Sequence, residues 1–328
     1  MEINKSFKIG IVLGGGGTRG FAHLGVLKVF EEENIPVDII SGTSFGSLVG
    51  GLYAIEPNAA LIKDRILKFL KTPLFKRARL EFLKESFTEV KNTTLISQIK
   101  SYIKRGMFYG ISLNRGYFIS GEELQKTLSG LITDMMIENT QIPFVCVAAD
   151  ILSGAEVVLS KGPMREAVAA SCAIPGVFPP VKIGKMQLID GGWVNRVPIE
   201  PAFRHGATFT IAIEASNDLE PSELKRGIEI VLRASDMTRN VLSEIQLSRA
   251  DVVIRPNVGH IHWAEFHRGL ECYQAGEEAA RAMVESIKRE IRNKRLKQFL
   301  LGKPKPATFP KTENLADTPF TEFNESPS

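Results

Sequence analysis

The feature that most constrains the fold is an apolar strand that runs directly into a block of glycines and then into a helix. Residues 7–13 (FKIGIVL) are apolar and β-branched, which is typical of a buried strand. Glycines fill 14–17, and residues 19–33 carry apolar side chains at helical spacing. A second short strand at 37–40 and a second helix at 45–54 repeat this order. The pattern predicts βαβ units, and hence a three-layer α/β fold with a mostly parallel central sheet and helices on both faces.

Later segments continue the alternation. Ser120 and Glu123 form a capping-box pair, which predicts a helix over 121–132. Pro163 is well placed to open another helix. Apolar runs and helical spacing predict the remaining elements, which are strands at 144–149, 156–159, 186–189, 208–215 and 251–255, and a largely helical stretch over 264–301.

Composition divides the chain into one domain and a tail. We expect a single domain over 1–301, with its core motifs within 8–202. Residues 61–110 interleave Lys and Arg with Leu and Phe, which predicts a basic helical insertion. A solvated helical face is favoured there over a membrane-contact surface. Residues 302–328 are rich in Pro, Thr, Ser, Asn and Glu, and we expect them to be disordered.

Charge and cysteine content exclude several classes of protein. The 328 residues are 44% hydrophobic and 24% charged, an ordinary globular balance that can bury a core without disulfides. Three separated cysteines fit a reducing compartment. A net charge of +4 is weak for nucleic-acid binding, so we expect no nucleic-acid partner. The N-terminus lacks a signal-peptide core and no apolar run is long enough to span a membrane. We therefore expect a cytoplasmic protein, with at most peripheral contact with the inner face of the membrane.

A G-x-S-x-G pentapeptide, Gly42-Thr43-Ser44-Phe45-Gly46, lies where the second strand gives way to the second helix. A nucleophilic serine requires such a sharp turn, because its hydroxyl must project above the sheet edge near a helix N-terminus. Small flanking glycines make the turn sterically possible. The pentapeptide alone also fits an ordinary strand–helix turn, so it predicts Ser44 as a nucleophile only together with this context.

The glycine block at 14–20 (GGGGTRG) predicts an anion-binding loop. Its backbone N–H groups precede a helix N-terminus, where negative charge is stabilised. In an acyl hydrolase the anion is the oxyanion of the tetrahedral intermediate. The same block satisfies G-x-G-x-x-G, and Asp38 lies roughly where a dinucleotide-binding acid would fall, so a nucleotide-binding oxidoreductase is the rival enzyme class.

Asp190, followed by two glycines after a short strand, is the candidate base. By itself the segment also fits a plain turn. The interpretation of Asp190 as a base is favoured once Ser44 is considered, because a serine hydroxyl is a poor nucleophile at neutral pH without a base. An aspartate can act as that base if its surroundings raise its proton affinity.

None of the histidines lies in a segment that resembles a hydrolase histidine loop; they are His23, His205, His260, His262 and His267. The first lies inside the predicted first helix, where packing or loop stabilisation is expected. The last three invite a metal interpretation, but a surface cluster is favoured because no Cys or acidic ligand pattern accompanies them. Cys172 has an apolar neighbourhood, which favours a packed thiol over a nucleophile.

Four segments in this order resemble the patatin-like phospholipase family, including the branch of the neuropathy target esterase catalytic domain. They are GGGGTRGFAHLGVL at 14–27, SGTSFGSLVG at 41–50, AASCAIPGVFPPV at 169–181 and DGGWVNRVPIEPA at 190–202. As an ordered set they are far more specific than any one of them. Residues 61–110 match no motif of the family, and substrate choice is expected to lie there.

The resemblance implies a Ser–Asp dyad in place of a Ser–His–Asp triad, with Ser44 as nucleophile and Asp190 as base. It implies that Arg19 supports the glycine loop and that the oxyanion hole is formed by Gly15, Gly16 and Gly17. The implied reaction is hydrolysis of a lipid carboxylic ester through an acyl-enzyme, without a metal or an organic cofactor. The alternative of a different class is a non-catalytic member of the same fold that binds lipid or a protein.

Overall fold

The chain is described by a computed structural model that covers residues 7–73, 75, 116–216 and 227–301, apart from the side chains of residues 228 and 229. The described strands form one mixed sheet. They are β1 (Ile9–Leu13), β2 (Ile39–Thr43), β3 (Phe144–Asp150), β4 (Glu156–Leu159), β5 (Val181–Ile183), β6 (Met186–Asp190), β7 (Phe209–Ile213) and β8 (Val252–Ile254).

The strand order is β5-β6-β3-β2-β1-β7-β8, with β4 paired to β3. All neighbours from β3 through β8 in this order are parallel, and only the pairs β3–β4, β3–β6 and β5–β6 are antiparallel. The parallel strands therefore end at one common edge, the carboxyl edge of the sheet, where ligand sites of open α/β sheets lie.

Helices cover both faces of this sheet. Along β1 the side chains alternate, so that Ile9, Ile11 and Leu13 enter the larger core while Val12 enters a smaller cluster with Ile199. The predicted three-layer α/β class is confirmed. The described helices are α1 (Phe21–Glu32), α2 (Phe45–Ile55), α3 (Ala59–Leu70), α4 (Gly121–Ser129), α5 (Met164–Ser171), α6 (Ile199–Arg204), α7 (Gly227–Leu247) and α8 (Gly269–Leu301).

Two of the predicted helix starts are confirmed, and one strand is shifted. Both hydrogen bonds of the capping box at Ser120 are present, and Pro163 directly precedes α5. The second strand begins at Ile39, two residues later than predicted, and Asp38 just before it bonds Ile9 of β1 through both its backbone amide and its side chain. The strand also continues through Thr43, which lies opposite β3. The first two residues of the pentapeptide are thus strand and not turn.

The short strand β5 and the long helix α7 were not predicted.

The predictions for residues 61–110 and for the tail are only partly tested. Within the expected insertion at 61–110, α3 is helical and turns Ile62, Ile66 and Phe69 into the core, as a solvated amphipathic helix does. Residues 74 and 76–110 of that region and the tail at 302–328 lie outside the described residues, so their predictions stay predictions.

Candidate active site

The sheet brings the two candidate catalytic residues together because β2 and β6 share one edge of β3. The antiparallel strand β4 pairs with residues of β3 that also pair with β2 and with β6. Strand β4 must therefore lie on the other side of β3 from both. On the shared edge Thr43 lies opposite Val147, and Asp190 lies opposite the next residue, Ala148. The end of β2 therefore meets the end of β6, and Ser44 follows at that junction.

Ser44 is held in a strained turn at the start of α2. Its backbone has φ 56° and ψ −125°, a conformation that a non-glycine residue adopts only where the surroundings enforce it. The chain approaches the backbone of β1 closely at Gly46, where a Cβ atom would lie 2.2 Å from the carbonyl oxygen of Leu13. The turn demands glycine at this position and leaves the serine hydroxyl above the sheet edge.

Ser171, the last residue of α5, fixes this turn to the sheet. The Ser44 backbone N–H donates to the Ser171 hydroxyl at 2.9 Å, and that hydroxyl donates to the carbonyl of Val147 at 2.6 Å. All three groups are buried, so each finds its partner inside the protein. The sequence analysis did not single out Ser171, although it lies in the ASCAIPG part of a family segment.

The serine and the aspartate form a short, buried hydrogen bond. Ser44 Oγ donates to Asp190 Oδ2 at 2.6 Å, and Asp190 Oδ1 accepts from the Gly192 amide at 2.7 Å. The residues are only 9% and 6% exposed. Burial raises the pKa of Asp190, and the bonds from Ser44 and Gly192 offset part of the rise. A carboxylate with raised proton affinity in contact with a hydroxyl is suited to accept its proton.

The glycine loop lies beside this pair. A Cβ atom on Gly15 would be 3.4 Å from the Ser44 Cβ. The Gly15 amide donates to the Arg196 carbonyl at 3.0 Å, so it already has a partner within the fold. The amides of Gly16 and Gly17, in contrast, donate to no acceptor in the part of the chain that the structure describes. These two N–H groups are the ones left to bind a ligand.

Two buried side chains hold the loop from behind. Arg19 Nε donates to the Gly16 carbonyl at 3.2 Å, and His23 Nε2 bonds the Gly14 carbonyl at 2.8 Å. Burial lowers the pKa of His23 to about 4, so the imidazole is neutral and donates this bond. Burial and Arg196 lower the pKa of Arg19 to about 10, which leaves it cationic at neutral pH. His23 thus stabilises the loop, as predicted.

The segment that follows the aspartate joins the loop and the serine strand. Ser41 Oγ donates to the Pro198 carbonyl at 2.8 Å, and Thr43 Oγ1 donates to the Asn195 carbonyl at 2.9 Å. Together with the Gly15–Arg196 bond, these contacts tie 195–198 to both β1 and β2. The sequence signal for this role was the family segment DGGWVNRVPIEPA, but the partners themselves could not be read from it.

Helix α7 supports the same segment from the other side. Gln246 Nε2 donates to the Val194 carbonyl at 3.1 Å, and the Arg239 guanidinium lies 4.5 Å from the centre of the Trp193 ring. The Asn240 side chain accepts from Arg196 at 3.0 Å. Sequence reasoning missed all of these contacts, since no pattern in 227–247 marks the helix as part of the site.

The structure argues against a dinucleotide site, a nucleophilic cysteine and a histidine metal site. Asp38 precedes β2, at the amino end of the strand, and bonds the start of β1, so it is on the wrong edge of the sheet for a ribose next to the glycine loop. Burial raises the pKa of the Cys172 thiol, which makes it a poor nucleophile. His260 contacts Glu271 at 3.1 Å. No group of three or more potential metal ligands occurs among the described residues.

None of the helices in the described ranges combines the length and the apolar character needed to cross a bilayer.

The fold and the site define a three-layer α/β protein with a buried, hydrogen-bonded serine–aspartate pair at the carboxyl edge of its sheet. The chain belongs to the patatin-like phospholipase family. The family model of that description matches residues 11–203, which is more than half of the 328 residues.

Two named relatives in sequence agree with this assignment. The chain is 30% identical to lysophospholipase NTE1 of Kluyveromyces lactis over 82% of its own length and 18% of that protein. It is 34% identical to patatin-like phospholipase domain-containing protein 6 of Mus musculus over 65% of its length and 14% of that protein. It therefore spans less than a fifth of these relatives. The solved structure of VipD from Legionella pneumophila matches with a TM-score of 0.46 and 15% identity over 86% of this chain and 67% of that one.

Proposed function

We propose that the chain is a serine acyl hydrolase that cleaves carboxylic esters of phospholipids or lysophospholipids through a Ser44–Asp190 dyad. The observation that carries the proposal is the 2.6 Å bond between Ser44 Oγ and a buried carboxylate. Family membership and the lysophospholipase relative support the lipid substrate. No histidine side chain in the described ranges is hydrogen-bonded to either residue.

In the first half of the reaction, Ser44 Oγ attacks the ester carbonyl carbon and its proton passes to Asp190. The carbonyl oxygen becomes an oxyanion. When the tetrahedral intermediate collapses, the bond to the alcohol oxygen breaks, and Asp190 returns the proton to that oxygen. The products of this half are the free alcohol or lysolipid and an acyl group on Ser44.

In the second half, water attacks the acyl carbon and gives its proton to Asp190. Collapse releases the fatty acid, and Ser44 Oγ takes the proton back, so the starting state is restored. The same carboxylate therefore acts as base and acid in turn. Its burial supports this exchange, because a carboxylate with a raised pKa holds a transferred proton more readily than an exposed one.

We assign the oxyanion to the amides of Gly16 and Gly17, with Gly15 holding the loop through its bond to Arg196. This refines the hole expected from all three glycines. The positive φ of Gly17, 58°, fits a loop whose successive amides face one concavity. Each preorganised donor of this kind lowers a barrier by about 3–4 kcal/mol. Arg19 supports the loop through the Gly16 carbonyl without reaching the reacting atoms in our assignment.

The test is hydrolysis of a short-chain nitrophenyl ester and of a phospholipid and lysophospholipid panel by the full chain. Ser44→Ala should lower kcat/KM by at least about 10³-fold, and Asp190→Asn by about 10²–10⁴-fold, with cooperative melting retained. Ser129→Ala, the same substitution at an exposed serine of α4, should change nothing.

A fluorophosphonate probe separates the enzyme from a binding-only protein of the same fold. The wild type and Ser129→Ala should be labelled stoichiometrically, and Ser44→Ala should not be. The proposal fails if Ser44→Ala retains full esterase activity, or if the wild type neither turns over any ester nor reacts with the probe.

A further inference from the structure

Helix α7 turns several polar side chains toward the site and exposes a series of large apolar side chains, which is unusual for a surface helix. A helix that covers a sheet ordinarily turns its apolar stripe inward and its polar face outward. In α7 the inward side chains include Arg239, Asn240, Ser243 and Gln246, of which the serine is buried. Most of the outward side chains are apolar, although Thr238 and Glu244 are exposed among them. The large apolar residues that are more than half exposed are Ile230, Val231, Met237, Val241 and Ile245.

The outward residues form one continuous stripe. Positions 230, 237, 241 and 245 are separated by seven, four and four residues, which places them on one side of an α-helix. The small exposed residue Ala234 fills the gap in this series. An exposed apolar stripe of this length exceeds the scattered surface hydrophobics of ordinary soluble proteins, and such patches mark interaction sites.

The acidic side chains of α7 that the structure describes are both paired, one on the inward side of the helix and one beside the stripe. Asp236 is paired with Arg239, and Glu244 is paired with Arg255 at 2.8 Å. A surface that contacts anionic or zwitterionic headgroups must avoid free carboxylates, because like charges repel and desolvating them is costly. The pairing of both acids removes this obstacle along the described side chains of α7.

The position of the stripe connects it to the site. The opposite face of the same helix holds the turn after Asp190, through the Arg239–Trp193 stacking and the Gln246–Val194 bond. A second apolar projection, Ile151 and Leu152, is 52% and 64% exposed directly after β3, on the carboxyl edge that carries the serine. Both apolar groups therefore belong to elements that contact or end beside the site, namely α7 and β3.

We infer that the outer stripe of α7 docks on a phospholipid bilayer and presents the carboxyl edge of the sheet to the lipid surface. This inference rests on the proposed function for the class of substrate. A second copy of the chain fits the stripe less well, because stable protein interfaces use about 20–30 residues a side and depend on matched shape. A bilayer takes up a single apolar helix face without a complementary surface, at a depth of about 5–10 Å.

The experiment measures co-sedimentation of the full chain with vesicles of phosphatidylcholine containing phosphatidylglycerol. The test variant Met237→Glu/Val241→Glu places two charges within the stripe. The matched control Gln274→Glu/Ala282→Glu adds the same two charges at exposed positions of α8. We expect vesicle partition to fall at least about tenfold in the test variant and to stay unchanged in the control.

Hydrolysis of a soluble nitrophenyl ester keeps the outcomes distinguishable. The test variant should retain the wild-type kcat/KM within about twofold and the wild-type melting curve, since exposed side chains are changed. Ser44→Ala should bind vesicles as the wild type does. Vesicle binding therefore tests docking even if the dyad proposal fails. The inference is overturned if the wild type does not bind vesicles, or if the test variant binds as well as the wild type. It is also overturned if the test variant instead dissociates a wild-type dimer with no effect on vesicle binding.

Discussion

The two turns that meet at the site are stabilised in different ways. The serine turn is fixed by close backbone packing and a strained φ at Ser44, with Gly46 only two residues away. The aspartate turn also packs closely, since a Cβ atom on Gly191 would lie 2.2 Å from the Val147 carbonyl oxygen. Its further support comes from several side chains of α7, where Gln246 is 52 residues from its partner Val194. The serine turn has one such distant support, the Ser171 hydroxyl of α5.

This difference indicates where substitutions should reduce activity in graded steps. Backbone overlap at the serine turn has no partial solution, because atoms of the main chain cannot move aside as a flexible side chain can. The aspartate turn has several polar supports that can be removed one at a time. We therefore expect steep loss of activity from a change at the packed glycine of the serine turn and graded loss from changes in the polar supports of the aspartate turn.

Among changes that leave both dyad side chains in place, the largest effect is expected from Gly46→Ala. The added methyl group would lie 2.2 Å from the Leu13 carbonyl oxygen and 2.7 Å from that of Gly14, so the helix must move away from the glycine loop. We expect kcat/KM to fall by about 10²-fold or more, because displacements of about 1 Å have that effect on catalysis. Overpacking should also cost about 1–3 kcal/mol of stability. Ester hydrolysis and thermal melting measure the two effects.

Gly227→Ala is the matched control, since a Cβ atom at the first residue of α7 meets nothing within 4 Å. It should leave activity and melting unchanged. Wild-type activity in Gly46→Ala would show that the serine turn adapts as readily as the aspartate turn, which would contradict the expected difference between them.

The same contrast explains how much of the site could be predicted from sequence. The nucleophile turn and the glycine loop are contiguous in the chain, so Ser44 and the loop at 14–17 were recognisable from local pattern. The placement of Asp190 beside Ser44 depends on two strands sharing one edge of β3, a long-range register that no local pattern encodes. Its selection therefore rested on a family resemblance, whereas its 2.6 Å contact required the structure.

The fold shows the same limit. The parallel strands and the capping-box helix were predicted because their apolar periods and caps are local. Helix α7 was missed because its apolar stripe faces outward and its inward polar side chains follow the needs of the site. The strand β2 was placed too early because its last three residues, Ser41, Gly42 and Thr43, resemble a turn in sequence although they pair with β3.

The buried Asp190 should also make kcat/KM depend on pH. Since burial raises the pKa of Asp190, kcat/KM for the soluble ester should fall as the pH is lowered through a value above the roughly 3.9 of an exposed aspartate. The activity is present above the folded-state pKa and lost below it. An inflection at or below the exposed value would contradict the assignment of the base.

Stability should change in the opposite direction. A carboxyl whose pKa is raised on folding destabilises the native state once it ionises, so wild-type stability falls as the pH rises from about 4 through the folded-state pKa. Asp190→Asn lacks this loss. Apart from a constant offset, the variant should gain stability relative to the wild type over that window, by about 1.4 kcal/mol per unit of pKa difference. Denaturant melts at several pH values measure it, and a difference independent of pH would contradict the raised pKa.

The smallest effect is expected from Gln246→Ala, which removes one support of the aspartate turn. The Val194 carbonyl would lose its 3.1 Å partner, at a cost of about 1–3 kcal/mol in the free energy of unfolding. The dyad atoms keep their direct bond, so kcat/KM should fall by at most about tenfold, well short of the loss in Gly46→Ala. Gln274→Ala on the exposed face of α8 is the matched control and should change neither quantity. A loss equal to that of Gly46→Ala would show that the aspartate turn is as rigidly determined as the serine turn. Unchanged activity and stability would instead show that α7 touches the turn without positioning it.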